Sequence, residues 1–129
     1  MPADTKRKVL LVDDEKFLLD IYSIKFHKRD FDVFAASSAD DGIAALQNGY
    51  EPDAILFDIT MPYKNGYEFL EELARLRLAK HALKIALTNE SQPGEMYRTK
   101  ELGATAHIIK AEYTPNEVVD IVTSLLDKR

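Results

Sequence analysis

The chain has 129 residues, of which 46% are apolar and 30% charged, the balance of a globular domain long enough to bury a core. A net charge of −5 and the absence of cysteine exclude disulfides and thiol chemistry and argue against a nucleic-acid-binding module, which normally carries a basic face. The apolar runs are too short to cross a membrane and a secretory signal is not evident, so we expect a cytoplasmic protein that neither inserts into a membrane nor binds nucleic acid directly.

Two kinds of apolar pattern alternate along the chain and predict five β–α units. Short runs of branched and aromatic residues predict strands, and each is followed by apolar residues at helical spacing. Repeated β–α units with short connections imply a parallel sheet with helices on both faces, so we predict a single α/β domain over residues 1–129. The second strand alternates more than the others, which favours an edge position. The predicted strands are 9–12, 31–35, 54–57, 83–87 and 106–109.

The first two helices are predicted from apolar spacing and capping residues. Phe17, Ile21 and Ile24 recur at helical spacing after the first strand. Residues 38–41 have the pattern of a capping box, which predicts the start of the second helix. The Asn-Gly pair at 48–49 is typical of a helix C-terminus and predicts its end.

The last three helices are predicted in the same way. The third runs to about Leu78, and Pro93 suits the first turn of a short, poorly amphipathic fourth helix. Thr114 caps the fifth helix in a capping box with Glu117. Its predicted core stripe consists of Val118, Ile121, Val122 and Leu125. The apolar residues off the core stripes, which are candidates for a partner surface, are Tyr97, Val119 and Leu126.

Polar residues stand at the carboxyl ends of four predicted strands. Because parallel α/β sheets bind ligands at these ends, and neighbouring strands lie about 4.8 Å apart, we expect their side chains to converge. Taken singly, each has a plainer explanation as a helix cap, a turn residue or a solvated strand end; their convergence favours a site. These residues are Asp13, Asp14, Asp58, Thr88 and Lys110.

Three clustered carboxylates repel one another and call for a cation. Oxygen ligands without histidine or cysteine suit Mg²⁺, which usually shares its coordination shell with a phosphate. A lysine and a hydroxyl beside the metal would supply donors for phosphoryl oxygens, which is the combination that phosphoryl transfer requires. A carboxylate can itself be the nucleophile, and Asp58 is the candidate because it stands alone after the middle strand.

Five segments at these spacings resemble the receiver (CheY-like) domain of two-component response regulators. The resemblance spans about Lys8 to Asp127 and implies a doubly wound sheet of five parallel strands in the order 2-1-3-4-5, with five helices. The segments are Leu11–Glu15, Leu56–Pro62, Asn65–Gly66, Ala86–Thr88 and Ile108–Lys110.

The resemblance implies a role for each site residue. Asp58 would accept a phosphoryl group from a histidine kinase or a histidine phosphotransfer protein. Asp14 would bind Mg²⁺ directly, Asp13 mostly through water, and the backbone carbonyl of Thr60 would complete the protein ligands. The domain would act on a downstream effector protein or a fused output domain, and a phosphorylation-dependent homodimer is a further expected partner.

The resemblance also implies a switch. Thr88 would hydrogen-bond the phosphoryl group, Lys110 would pair with it, and His107 stands where the family usually has a switching aromatic; a half-exposed edge-strand histidine is the plainer alternative. Glu90, like Thr60, would border the path of the hydrolytic water and modulate the lifetime of the acyl phosphate. Ala111 replaces the family's proline after the lysine, so we predict a trans bond there and a rearranged loop.

Two other functions are weighed against this one. A Mg²⁺-dependent aspartyl-phosphate phosphatase or phosphotransferase acting on small molecules would carry an aspartate general acid two residues after the nucleophile, where this chain has Thr60. A flavodoxin-like flavin binder would need a Gly- or Ser-rich phosphate loop after the first strand, whereas Asp13 and Asp14 would repel a phosphate. The regulatory phosphoacceptor is therefore favoured over an enzyme.

Overall fold

The computed structural model describes residues 6–89 and 92–129. Five parallel strands form one sheet in the order β2-β1-β3-β4-β5, which confirms the predicted α/β fold and the edge position of the second strand. The strands are β1 (Lys8–Val12), β2 (Asp32–Ala36), β3 (Ala54–Asp58), β4 (Leu83–Thr88) and β5 (Ala106–Ile109). The helices are α1 (Lys16–Lys28), α2 (Ala39–Gln47), α3 (Gly66–Leu76), α4 (Glu95–Glu101) and α5 (Pro115–Asp127).

The middle strands are buried on both faces, so they divide the core into two layers. Along β3, Ile55 and Phe57 pack with residues of α2 and α3, whereas Ala54 and Leu56 pack with residues of α1 and α5. Successive side chains of a strand point to opposite faces, which is why a continuous apolar run is needed here. Within the described ranges, no helix has the length and apolar character needed to span a membrane.

The buried face of α1 differs from the predicted stripe. Phe17 and Ile24 are exposed, and the residues that enter the core are instead Leu19, Tyr22 and Phe26. Apolar residues occupy more positions of this helix than one face can bury, so periodicity alone does not select the face. An apolar strip of α1 is consequently left on the surface.

The predicted core stripe of α5 is corrected in the same sense. Val119 and Leu126, assigned above to a partner surface, are buried in the core. Ile121 and Leu125 pack only at its margin. The buried face is thus rotated by about one residue, because packing against the twisted sheet and α1, rather than composition, sets the helix orientation. Tyr97 on α4 is exposed, as predicted.

Several element boundaries also differ from the predictions by one or two residues. The second strand begins and ends one residue later, and α3 ends at Leu76 because Arg77 adopts a left-handed conformation. The fourth helix begins at Glu95 after Gly94, so Pro93 precedes the helix instead of opening it.

Only half of the predicted capping box forms at Ser38. The Ser38 hydroxyl accepts a hydrogen bond from the Asp41 amide, but the Asp41 carboxylate accepts one from the hydroxyl of Ser37. The capping box of Thr114 and Glu117 is confirmed.

Candidate functional site

Three carboxylates meet where β1 and β3 end. Asp13 and Asp14 follow β1, Asp58 is the last residue of the adjacent β3, and one carboxylate oxygen of each lies within 4.8 Å of the others. Asp13 and Asp58 are buried, whereas Asp14 is exposed. Because buried carboxylates are costly without a partner of opposite charge, this cluster requires cations.

Lys110 supplies one cation. Its Nζ donates to Asp13 Oδ2 at 2.8 Å and lies 3.6 Å from Asp58 Oδ2, and the ammonium is itself buried. Burial of the ammonium opposes its charged form, but the hydrogen bond to Asp13 and the charge of Asp58 outweigh it and raise the pKa of Lys110 above its ordinary value. The ammonium therefore stays charged between the two acids.

The loop after Lys110 forms without a cis bond. The Lys110–Ala111 peptide is trans, and a short 3₁₀ turn over Lys110–Glu112 leads towards α5. This confirms the prediction of a trans bond at the position where the family usually has proline. The lysine stem reaches the acidic cluster from this turn, so the approach to Asp58 survives the replacement of proline by alanine.

The carboxyl group of Asp58 is strongly perturbed. Its burial, which disfavours the charged form, raises its pKa from 3.8 to about 6, with further raising by the charges of Asp13 and Asp14. The positive charge of Lys110 and a hydrogen bond from the Thr60 amide to Asp58 Oδ1, at 3.3 Å, act in the opposite direction. A buried carboxylate with these neighbours is poised for reaction or for a bound cation.

The loop after β3 is fixed against Asp58 by Gly66. The Gly66 amide donates to the carbonyl of Ile59 at 2.8 Å, and a Cβ on Gly66 would lie 2.7 Å from the carbonyl oxygen of Asp58. Only glycine permits this approach. Asn65 then caps α3 in a reciprocal capping box with Glu68, which anchors the far end of the loop.

Two further predicted residues lie on the neighbouring strands. Thr88 ends β4 and is buried, one strand away from Asp58. His107 lies on β5, where its side chain is only 3% exposed, so the alternative of a half-exposed surface histidine is wrong. Its Nε2 lies 3.0 Å from Glu95 Oε1. Glu90 lies outside the described residues, and its role stays a prediction.

The donor set fits Mg²⁺. Three carboxylates with no histidine or cysteine among them are hard oxygen ligands, and the exposure of Asp14 leaves one side of the cluster open to water and to a phosphoryl group. The residues that would hold the ion are Asp13, Asp14 and Asp58. The role of the Thr60 carbonyl as a further ligand also stays a prediction.

Comparison with known proteins decides the family. The family model of the response regulator receiver domain matches residues 9–123. The chain belongs to this family. A receiver domain is the regulatory phosphoacceptor module of two-component signalling, so the coarse functional class predicted from the sequence is confirmed.

Individual relatives agree with the assignment. The chain is 29% identical over 122 residues to the chemotaxis protein CheY of Halobacterium salinarum, covering 93% of this chain and 97% of that protein. It is 31% identical to the response regulator SaeR of Staphylococcus aureus, covering 93% of this chain but only 50% of that relative's length. This chain thus covers nearly all of one relative and half of the other.

Solved structures share the fold. The CheY-like receiver domain protein of Methanospirillum hungatei superposes with a TM-score of 0.86 at 27% identity, covering 96% of both chains. The chemotaxis protein CheY4 of Vibrio cholerae superposes with a TM-score of 0.85 at 25% identity, covering 93% of this chain and 98% of the other.

Sequence reasoning missed two residues next to the site. Gly66 was named only within the Asn65–Gly66 segment of the receiver-domain resemblance, without a role, although a glycine directly after a loop of turn residues is a signal for close backbone approach. Glu95 was not singled out, because a glutamate in the first turn of a helix usually faces solvent. In the structure it is buried and bonded to His107.

Proposed function

We propose that this receiver domain is a Mg²⁺-dependent phosphoacceptor that takes its phosphoryl group on Asp58 from a histidine kinase or a histidine phosphotransfer protein. We further propose that residues 1–129, with a core of about 8–127, form one cytoplasmic domain. The observation that carries it is the position of Asp58: a buried carboxylate with a raised pKa, between two further acids and a buried ammonium. No surface aspartate of the described chain has this combination of neighbours.

The chain's own residues supply the nucleophile and the charge stabilisation. An Asp58 oxygen attacks the phosphorus of the donor, the new O–P bond forms as the N–P bond breaks, and the donor imidazole keeps the bonding pair. Lys110, already 3.6 Å from Asp58, is placed to move from Asp13 to an oxygen of the transferred group. The product is an acyl phosphate on Asp58.

Mg²⁺ bound by Asp13, Asp14 and Asp58 would neutralise the acidic cluster and withdraw negative charge from the phosphoryl oxygens. The amide of Glu15 donates to Asp13 Oδ1 at 2.9 Å and so fixes the orientation of the Asp13 carboxylate. The side of the cluster at Asp14 is the open one, and the donor would approach from there.

The phosphorylated state would be read by an effector protein or output domain through α4, β5 and α5. Thr88 is the proposed reporter, since it ends the strand between Asp58 and β5. A hydrogen bond from its hydroxyl to the phosphoryl group would favour one of two arrangements of the surface beyond it. Thr60 and Glu90 are proposed to modulate hydrolysis of the acyl phosphate.

Intact-mass spectrometry after incubation with acetyl phosphate and Mg²⁺ tests the proposal. We expect one added phosphoryl group on the wild-type chain and none on Asp58→Asn or in the presence of EDTA. Asp20→Asn is the matched control, because Asp20 is exposed on α1 and should leave uptake unchanged. Uptake by Asp58→Asn equal to that of the wild type would overturn the assignment of the acceptor.

A further inference from the structure

Glu95 and His107 form a buried polar pair between α4 and β5. Glu95 Oε1 lies 3.0 Å from His107 Nε2, and the two side chains are 7% and 3% exposed. The other ring nitrogen, His107 Nδ1, is buried with no hydrogen-bond partner among the described residues. The imidazole of His107 therefore makes one good hydrogen bond and leaves its other nitrogen unsatisfied. Buried polar atoms without a hydrogen-bond partner are uncommon in native structures and call for an explanation.

The fourth helix buries mainly polar side chains. The buried residues of α4 are Glu95 and Thr99, while Met96 and Tyr97 are exposed, so the helix buries no large apolar side chain. A cleft of about 200 Å³ remains between α4 and β5, lined in part by Met96, Thr99 and His107. Burial of apolar surface usually provides most of the free energy that packs a helix against a sheet. In α4, polar contacts therefore contribute a larger share of that packing free energy than is usual.

The second polar contact of α4 is made to α3. The guanidinium carbon of Arg98 lies 3.8 Å from the centre of the Tyr67 ring. Arg98 is exposed, and cation–π contacts at exposed sites are weak. The buried Glu95–His107 bond is thus the stronger of these two polar contacts of α4.

His107 is also connected to the end of β4 by the sheet register. His107 pairs with Ala86 and Ile109 pairs with Thr88, so His107 and Thr88 are diagonal neighbours on the same face of the sheet. A displacement of Thr88 on β4 would therefore move the imidazole of His107 on the neighbouring strand β5. Movement of the imidazole would in turn move Glu95 and, with it, α4.

We propose that the Glu95–His107 bond is a latch that holds α4 against β5 and opposes activation, and that Glu95 is a positioning residue of the switch. The proposal rests on the proposed function of Asp58. Opening the latch breaks the hydrogen bond but exposes Nδ1 to water, so the closed and open arrangements are close in free energy. Phosphorylation at Asp58 shifts the equilibrium towards the open arrangement.

The test compares the wild type with Glu95→Ala, His107→Phe and the double variant, using Glu101→Ala as control because Glu101 is an exposed acid of the same helix. Hydrogen exchange of the amides from Arg98 to Leu102 is measured by NMR on the unmodified proteins. Breaking this buried hydrogen bond should speed the exchange about tenfold in either single variant. The double variant should exchange no faster than the singles, since both remove the same bond.

Affinity for beryllofluoride with Mg²⁺, a phosphoryl analogue, is the second readout. A latch that opposes activation predicts about tenfold tighter binding by Glu95→Ala and His107→Phe, because the free energy lost from the closed state appears as affinity for the active one. Wild-type exchange in both variants, or faster exchange with unchanged affinity, would overturn the latch. A wild-type chain that binds no beryllofluoride would contradict the proposed function itself, and the exchange measurement distinguishes the two failures.

Discussion

Lys110 is bonded to Asp13 rather than to Asp58: its Nζ lies 2.8 Å from Asp13 Oδ2 and 3.6 Å from Asp58 Oδ2. The lysine is therefore the counter-ion of a residue that would hold Mg²⁺ and is close to the residue that would carry the phosphoryl group. The ion and the ammonium compete for Asp13. Binding of the ion would free the ammonium for the oxygens of the phosphoryl group.

The first prediction concerns this competition. Lys110→Ala should bind Mg²⁺ about tenfold or more tightly, because the ammonium repels the ion and two unit charges about 4 Å apart interact by about 1 kcal/mol in water and about 4 kcal/mol near a protein surface. It should at the same time accept phosphate from acetyl phosphate far more slowly. Calorimetric titration with Mg²⁺ measures the affinity, and Lys100→Ala, an exposed lysine on α4, is the control. An unchanged or weaker affinity would show that the lysine does not compete with the ion.

The second prediction concerns pH. In the folded chain Asp58 keeps its proton up to about pH 6, whereas the unfolded chain releases it near the ordinary pKa of 3.8. Between these values the folded state binds more protons, so the contribution of Asp58 to the free energy of unfolding falls as pH rises. Asp58→Asn removes this term and should be more stable than the wild type above pH 6, by about 3 kcal/mol.

Urea denaturation in EDTA at several pH values measures this difference. The two proteins should converge in stability below about pH 3, where the carboxyl is protonated in both the folded and the unfolded state. Asp20→Asn, on the surface of α1, should show no such pH-dependent gain. A constant difference between Asp58→Asn and the wild type across this range would mean that Asp58 is not perturbed by burial.

The third prediction separates phosphorylation from its readout. Thr88→Ala should still accept a phosphoryl group on Asp58 but should lose most of the phosphorylation-induced NMR shift changes in α4 and β5, because the buried hydroxyl at the end of β4 is removed. Thr88→Ser keeps the hydroxyl and should retain the response. If Thr88→Ala responds like the wild type, another residue carries the signal from β4 to β5.

The fourth prediction tests the close approach at Gly66. A Cβ here would lie 2.7 Å from both the Asp58 carbonyl oxygen and Ile59 Cα, so Gly66→Ala must shift backbone. We expect it to lower the free energy of unfolding by about 1–3 kcal/mol and to slow phosphorylation. Gly42→Ala is the control, since its Cβ would meet a Val12 methyl group at 3.0 Å and helix propensity would favour alanine. Equal losses in the two variants would contradict the constraint on the Asp58 backbone.

The sheet and the acidic cluster were accessible from the sequence because each depends on a local signal. Continuous apolar runs such as those before Asp13 and Asp58 mark central strands, and their ends meet at one sheet edge by topology. The trans bond after Lys110 followed from the high free energy of a non-proline cis bond. These inferences needed no knowledge of side-chain packing.

The helix faces and the α4 contacts were not accessible in this way. In α1, Phe17 and Leu19 are both apolar, and only the sheet decides that Leu19 is buried. The partnership of Glu95 and His107 joins residues of two elements through their tertiary placement, and no spacing rule predicts it. The hydrogen bond of Lys110 to Asp13 and not to Asp58 likewise depends on a difference of less than an ångström between two distances.

The most direct test of the central claim is to locate the acyl phosphate chemically. Borohydride converts an aspartyl phosphate to homoserine, so the chain is treated with acetyl phosphate and Mg²⁺, reduced, digested and sequenced by tandem mass spectrometry. The account predicts homoserine at position 58 and nowhere else, with Asp13 and Asp14 unchanged. Homoserine at either of those positions, or its absence from position 58 in a chain that has gained a phosphoryl group, would contradict it.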